Sequence, residues 1–166
     1  LALLVDVSAA TDATHLSMAR TLIESVLRRL GPDDRVVLLG ADLDAHAVGA
    51  AKSGKKDKPA LPTWSALNQE TTQKLLEQLG RVTTGGATDL GRTLSEAGAM
   101  LAPDRLGAVL YVGDGKPTVG ELSVRSLRER LSSLPQPLRL YAVGVGDDAN
   151  LDLLSSLSDA SAGQAF

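Results

Sequence analysis

Four nearly continuous apolar runs constrain the fold more than any other feature of this chain. They comprise residues 1–5, 35–40, 106–112 and 138–145. Runs of this kind, without regular alternation of apolar and polar residues, are typical of strands buried on both faces. Helical patterns separate the runs, as expected for a sheet covered by helices on both sides. The sequence therefore predicts an α/β fold with a central, mostly parallel sheet.

Apolar residues at helical spacing predict five helices between and after the strands. The first begins near Asp12 or Thr14 and is stopped by Gly31 and Pro32, which follow the last apolar position. The others are expected at residues 68–80, after Thr88 and before Pro103, at 121–133, and from about residue 149. Residues 164–166 are expected to open a last strand.

Composition fits one ordinary globular domain and excludes several classes of function. The 166 residues are 43% hydrophobic and 22% charged, which is enough for one sizeable core. Only 2% are aromatic and the net charge is -3, so nucleic acid is not an expected partner. The absence of cysteine excludes disulfides, thiolate zinc sites and a cysteine nucleophile. No run approaches the roughly 18 apolar residues that a membrane span needs.

Domain organisation is expected to be simple. Residues 1–166 are predicted to form a single domain, and because the chain begins inside a strand we expect it to be part of a longer protein. Residues 49–64 carry four lysines and two prolines and predict an exposed loop. Trp64, the only tryptophan, is expected to anchor this loop to the body of the domain. The lysines are interpreted as solvated, with docking of an acidic partner as the alternative.

Small oxygen-bearing side chains follow two of the strands and one glycine-rich loop. Asp6 and Ser8 come at the end of the first strand, Thr88 follows the glycine pair at residues 85–86, and Asp114 follows the third strand. Because loops at the carboxyl ends of parallel strands meet at one edge of the sheet, these side chains are expected to converge. Two carboxylates would repel each other there unless a cation lay between them, and magnesium accepts such oxygen ligands.

Each of these residues also has a structural interpretation. Asp6 could cap a strand end, Thr88 could be the N-cap of the following helix, and Asp114 with Gly115 forms a common turn dipeptide. The metal interpretation is favoured because the residues fall at one predicted edge in a consistent order. Neither His15 nor His46 shares ligand spacing with the other, so both are expected to be ordinary satisfied or exposed histidines.

These residues resemble the von Willebrand factor type A domains. Their metal-ion-dependent adhesion site has the pattern D-x-S-x-S, then a threonine, then Asp-Gly, which corresponds here to Asp6, Ser8, Ala10, Thr88 and Asp114. Further stretches carry the resemblance: residues 85–90, 113–121 and 141–146. It extends over nearly the whole chain and is closest to the branch that includes the inter-alpha-trypsin-inhibitor heavy chains and is associated with a VIT domain.

The resemblance implies a Rossmann-like three-layer fold with one short antiparallel edge strand, here residues 45–48. It implies no catalysis and instead a protein-interaction or adhesion module that binds Mg²⁺ or Mn²⁺ through Asp6, Ser8, Thr88 and Asp114. A partner protein would complete the metal shell with an acidic side chain. The resemblance also favours a surface-exposed, secreted or otherwise extracytoplasmic location and no direct membrane insertion by the domain.

Two positions depart from the family pattern. Ala10 replaces the second serine and so removes one oxygen ligand, and Gly113 stands where many members carry a threonine. A water could take the vacated place, since magnesium commonly keeps several waters. Asp12 and Asp89 are candidates to hold such waters in the second shell, or else cap helices.

Two alternatives remain open from the sequence. The first is the same fold with a metal site that no longer functions, acting as a structural or interaction domain. The second, more remote, is a phosphotransferase similar to the haloacid dehalogenases, for which the Gly-Asp-Asp sequence at 146–148 fits superficially. Against the second, residues 6–8 lack the second carboxylate that would serve as general acid.

Overall fold

The computed structural model describes residues 1–48 and 63–166. Its elements in chain order are β1 (Ala2–Asp6), α1 (Ala13–Leu27), β2 (Arg35–Ala41), β3 (Ala45–Ala47), β4 (Ser65–Ala66), α2 (Gln69–Gly80), α3 (Leu90–Ala99), β5 (Val109–Gly113), α4 (Val124–Ser132), β6 (Leu140–Gly144), α5 (Leu151–Ala160) and β7 (Gln164–Ala165). The strands form one sheet in the order β3-β2-β1-β5-β6-β7, with β4 paired to the start of β2.

The sheet is parallel in its centre and antiparallel at one edge. β1 lies between β2 and β5 and is parallel to both, and β6 and β7 continue in the same direction. β3 pairs with β2 in the antiparallel sense, as predicted for residues 45–48. The predicted α/β fold is thus confirmed. The two-residue β4, also antiparallel to β2, was not predicted. The predicted loop at 49–64 lies outside the described residues, apart from residues 63 and 64.

Helices cover both faces, which explains why the central strands β1 and β5 are buried along their whole length. Alternate residues of β1 point to opposite sides, so Leu3 and Val5 join one buried cluster while Ala2 and Leu4 join the other. The first cluster contains the apolar residues of α1 and α2, and the second those of α3, α4 and α5. Trp64 is half-buried and packs against the second cluster, consistent with an anchoring role.

Two predicted helix boundaries were wrong for identifiable reasons. α1 ends at Leu27, before Gly31, because the residues after it form hydrogen bonds to residue i−3, as in a 3-10 turn. The amide of Arg29 donates to the carbonyl of Val26 at 2.9 Å. α4 begins at Val124 rather than Glu121. Ser123 caps it, with its hydroxyl accepting from the amide of Ser126 at 3.1 Å.

Candidate metal site at the carboxyl edge of the sheet

Asp6 is the last residue of β1 and is 1% exposed. Three donors hold its carboxylate. Oδ1 accepts from the amide of Ser8 at 2.8 Å and from the hydroxyl of Thr11 at 3.1 Å, and Oδ2 accepts from the hydroxyl of Tyr111 at 3.0 Å. These bonds offset part of the cost of burying a carboxylate. Asp6 is therefore fixed in orientation at the edge of the sheet where the predicted site lies.

Ser8 lies two residues beyond β1 and is 2% exposed. Its backbone is engaged: the amide donates to Asp6, and the carbonyl accepts from the amide of Thr11 at 3.1 Å. Its hydroxyl oxygen, in contrast, is buried without a hydrogen-bond partner among the residues that the structure describes. A buried hydroxyl in that condition costs about 1–3 kcal/mol. The arrangement therefore leaves one oxygen ligand available beside a fixed carboxylate.

The glycine-rich loop docks directly onto the segment that follows β1. The amide of Gly85 donates to the carbonyl of Val7 at 2.9 Å, and the amide of Ala9 donates to the carbonyl of Gly86 at 3.0 Å. Gly86 has φ of 90°, a left-handed conformation that favours glycine. The glycine pair thus brings the loop against the segment that follows β1.

Thr88 is 2% exposed and is held by the loop that follows β5. Its amide donates to the hydroxyl of Thr118 at 2.8 Å, and its carbonyl accepts from the amides of Thr118 and Val119 at 2.9 and 3.2 Å. The backbone of Thr88 is therefore fixed by bonds in which its own hydroxyl takes no part. Thr118 was not singled out from the sequence, although it lies in one of the stretches that carry the family resemblance.

Asp114 follows β5 directly and is half-buried. Its Oδ1 accepts from the amide of Lys116 at 3.0 Å, and its carbonyl accepts from the amide of Asn150 at 2.7 Å. Burial raises the pKa of the Asp114 carboxyl above its ordinary value, and the charge of Asp6 adds to this, while the Lys116 amide acts in the opposite direction. A nearby cation would favour the charged form of the Asp114 carboxylate.

Tyr111 and Thr11 contribute to the site and were missed in the sequence. Both bond to Asp6, and Tyr111 is fully buried. Burial raises the pKa of the Tyr111 hydroxyl well above its usual range, with the charges of Asp6 and Asp114 acting in the same direction. A tyrosine inside an apolar strand gives no signal beyond β propensity, so only the three-dimensional structure shows its contact.

The structure also shows the surroundings of three other predicted positions, Ala10, Asp12 and Asp89. Ala10 is exposed, so the place of the missing serine faces solvent. Asp12 caps α1 by accepting from the amide of His15 at 2.8 Å, and Asp89 caps α3 by accepting from the amide of Arg92 at 2.9 Å. Capping is therefore observed for both aspartates. A role in holding metal-bound water stays a prediction.

A second group of potential ligands lies on the turn between β2 and β3 and on β3 itself. Asp42, Asp44 and His46 have potential ligand atoms within 4.8 Å of one another and could hold a metal ion. The Nδ1 atom of His46 is 3.5 Å from Asp42 Oδ1 and 3.4 Å from Asp44 Oδ1. In the sequence, this group corresponds to the alternating pattern Asp-x-Asp-x-His after a strand. Any metal measurement must separate this group from the predicted site.

The predicted ligands fit a hard divalent cation in their chemistry. Asp6 and Asp114 offer carboxylate oxygens, and Ser8 and Thr88 offer hydroxyl oxygens, the donor types that magnesium prefers in proteins. Such an ion would bind the Ser8 oxygen, which has no hydrogen-bond partner among the described residues, and would offset the effect of the Asp6 charge on Asp114. The phosphotransferase alternative depends on the Gly-Asp-Asp sequence at residues 146–148. In the structure, Asp148 of this sequence forms an ion pair with Lys116 at the surface.

Comparison with known proteins identifies the family. The model of the von Willebrand factor type A domain matches residues 1–166. Inter-alpha-trypsin inhibitor heavy chain H2 of Mus musculus is 36% identical over 75 residues, which are 43% of this chain and 8% of the mouse protein. The matched segment is thus a small part of that relative. This similarity agrees with the branch indicated by the sequence.

Solved structures show the same fold. A von Willebrand factor type A protein from Catenulispora acidiphila superposes with a TM-score of 0.76 at 19% identity, covering 99% of this chain and 37% of that one. Proximal thread matrix protein 1 from the mussel byssus, solved with a zinc-occupied metal-ion-dependent adhesion site, gives 0.63 at 12% identity, covering 99% and 42%. Within residues 1–48 and 63–166, no helix is long and apolar enough to cross a membrane.

Proposed function

Because the chain belongs to the von Willebrand factor type A domain family, we propose that it is a protein-interaction module that binds its partner through a divalent cation. Asp6, Ser8, Thr88 and Asp114 would hold the ion, Mg²⁺ or Mn²⁺. The module acts by binding and not by catalysis. The cation supplies a coordination position that an acidic side chain of the partner fills. An extracytoplasmic location belongs to the same proposal and rests on the family resemblance.

The observation that carries the proposal is the hydroxyl of Ser8. It is a buried oxygen without a hydrogen-bond partner among the described residues, next to a carboxylate that three donors hold in place. Folding gains nothing from such a hydroxyl, whereas a cation would use it. Exposure of Ala10 supports the proposal too, because solvent can provide the oxygen that this position lacks.

Replacing Ser8 by alanine is expected to separate metal binding from stability. Ser8→Ala should lower Mg²⁺ affinity at least tenfold. Even the loss of a residue that only hydrogen-bonds to a metal ligand lowers metal affinity by about 10–100-fold. In the metal-free state its free energy of unfolding should equal that of the wild type or exceed it by up to about 1 kcal/mol, because the removal of an unsatisfied buried hydroxyl is partly offset by the cavity that it leaves. Titration calorimetry and urea unfolding in EDTA measure the two quantities.

Ser158→Ala is the matched control for this comparison. Ser158 lies in α5, is 0% exposed and likewise has a buried hydroxyl oxygen without a partner in the described part of the chain. Its replacement should change stability in the same direction and leave the Mg²⁺ titration unchanged. If neither the wild type nor either variant gave heat on addition of Mg²⁺, the proposal would be contradicted. That result would favour the alternative of a domain that has lost its metal site, an alternative that the alanine at position 10 supports.

The open coordination position can be tested with a simple carboxylate. Acetate labelled with ¹³C, added to the Mn²⁺-loaded wild type, should show enhanced relaxation because its carboxylate binds the paramagnetic ion. The Asp44→Asn/His46→Ala variant should show the same enhancement, since it disables only the second group of potential ligands. The relaxation enhancement could instead disappear in this variant and persist in Ser8→Ala. The ion would then lie in the group of Asp42, Asp44 and His46, and the proposed site would be refuted.

A further inference from the structure

The hydroxyl of Tyr111 connects the two acidic elements of the site. It donates to Asp6 Oδ2 at 3.0 Å and accepts from the amide of Gly115 at 3.3 Å. Gly115 belongs to the turn that begins with Asp114, and its φ of 68° places it in the left-handed region. One buried oxygen thus bonds to the end of β1 on one side and to the turn after β5 on the other.

The surroundings of this hydroxyl leave it little freedom. Tyr111 is 0% exposed and lies in β5, with its ring in the cluster formed by the sheet and helices α3, α4 and α5. A Cβ atom on Gly113 would lie 2.4 Å from the Tyr111 hydroxyl and 2.5 Å from the Cβ of Asp6. Both contacts are impossible without movement. The absence of a side chain at residue 113 is therefore what allows the hydroxyl to reach Asp6.

From this geometry we propose that Tyr111 is a positioning residue of the cation site, whose hydroxyl sets the separation of Asp6 and Asp114. The inference rests on the proposed function, because it concerns the same ion. Tyr111 does not bind the cation itself. It orients one oxygen of Asp6 and holds the turn of Asp114 at a fixed place, so that the two carboxylates are already arranged before the ion arrives.

Replacement of Tyr111 by phenylalanine tests the proposal with the smallest change. Tyr111→Phe keeps the ring and removes only the bridging oxygen, and we expect Mg²⁺ affinity to fall about 10–100-fold, the usual effect of losing a residue that orients a metal ligand. Tyr141→Phe is the matched control, because it removes the same atom from the neighbouring strand β6 and should leave the affinity unchanged. Near-ultraviolet circular dichroism establishes that both variants are folded.

A spectroscopic readout distinguishes positioning from general structural support. Tyrosine labelled with ¹³C at Cζ gives two resonances, one for each tyrosine of the chain. On addition of Mg²⁺ to the wild type, the Tyr111 resonance should shift along the same saturation curve as the calorimetric heat, while that of Tyr141 stays in place. The shift is expected because the cation draws charge from the carboxylate that accepts the Tyr111 hydrogen bond.

The possible results separate this inference from the proposed function. Heat from the wild type, together with equal affinity in Tyr111→Phe or an unmoved Tyr111 resonance, would overturn the role of Tyr111 and leave the cation site standing. Absence of heat from the wild type would overturn both. Heat from the wild type, a loss of 10-fold or more in Tyr111→Phe and a saturating shift of the Tyr111 resonance would establish the positioning role.

Discussion

Mg²⁺ is expected to reverse the order of stability of the wild type and Asp114→Asn. Without metal, the variant should be the more stable at neutral pH, because burial and the charge of Asp6 disfavour the Asp114 carboxylate. Solvent screening of this half-buried group limits the difference to below about 1 kcal/mol. The asparagine side chain of the variant still offers an oxygen to the amide of Lys116, which donates to Asp114 at 3.0 Å in the wild type.

Saturation with Mg²⁺ should then favour the wild type strongly. A ligand at 100 times its dissociation constant stabilises the folded state by about 2.7 kcal/mol. For a domain of this size the melting temperature should rise by roughly 5–10 °C. The variant, which lacks one of the two anionic ligands, should gain little. Thermal unfolding in EDTA and in excess Mg²⁺ measures both values, and parallel shifts of the two proteins would contradict a ligand role for Asp114.

The pH dependence of the metal-free difference follows from the direction of the pKa shift. A carboxyl whose pKa is raised in the folded state binds more protons when folded than when unfolded, so folding stability decreases as the pH rises through that range. The wild type should therefore lose stability relative to Asp114→Asn as the pH rises from the ordinary aspartate pKa through the raised value of the folded state. Below the ordinary pKa both side chains are neutral and the difference should vanish.

Gly113→Ala is expected to damage both stability and metal binding. The added Cβ would lie 2.4 Å from the Tyr111 hydroxyl and 2.5 Å from the Asp6 Cβ, so β1 and β5 must shift apart at the site. Overpacking of this kind costs about 1–3 kcal/mol. Displacement of Asp6 should also weaken Mg²⁺ binding at least tenfold, as expected when a metal ligand loses its orientation. Urea unfolding and calorimetry provide the two measurements.

Gly85→Ala is the control for Gly113→Ala. Gly85 lies in the loop that docks on the segment after β1, yet a Cβ there would meet no atom of the described residues within 4 Å. Its replacement should change the free energy of unfolding by no more than about 0.5 kcal/mol, as for most surface substitutions. If Gly113→Ala behaved like this control, the close approach of β1 and β5 at the site would be refuted.

The fold was predictable because several patterns in the sequence indicate it independently. Apolar strands such as β1 and β5 must be buried on both faces, and the intervening helices have apolar stripes that match the two sides of the sheet. Boundaries were less predictable, since they depend on single bonds. The start of α4 is decided by the Ser123 hydroxyl, and a two-residue strand such as β4 has no pattern of its own.

The positions of three candidate ligands were predictable, whereas the residues that support them were not. Asp6, Ser8 and Asp114 end or follow strands whose positions are evident, and the parallel order of these strands places them at one edge of the sheet. That they hold a metal ion stays a prediction. Tyr111 and Thr118 act through contacts between distant parts of the chain. Such contacts cannot be predicted from the residue types alone. The group of Asp42, Asp44 and His46 depends on the geometry of a turn, which periodicity does not describe.

One cation is proposed to bind among Asp6, Ser8, Thr88 and Asp114. Crystals grown with Mn²⁺ would show whether it does, because the anomalous signal of manganese locates the ion independently of the protein atoms. One peak is expected within bonding distance of the Ser8 and Thr88 hydroxyl oxygens and beside the two carboxylates. No peak at this position, or a peak only between Asp42, Asp44 and His46, would contradict it.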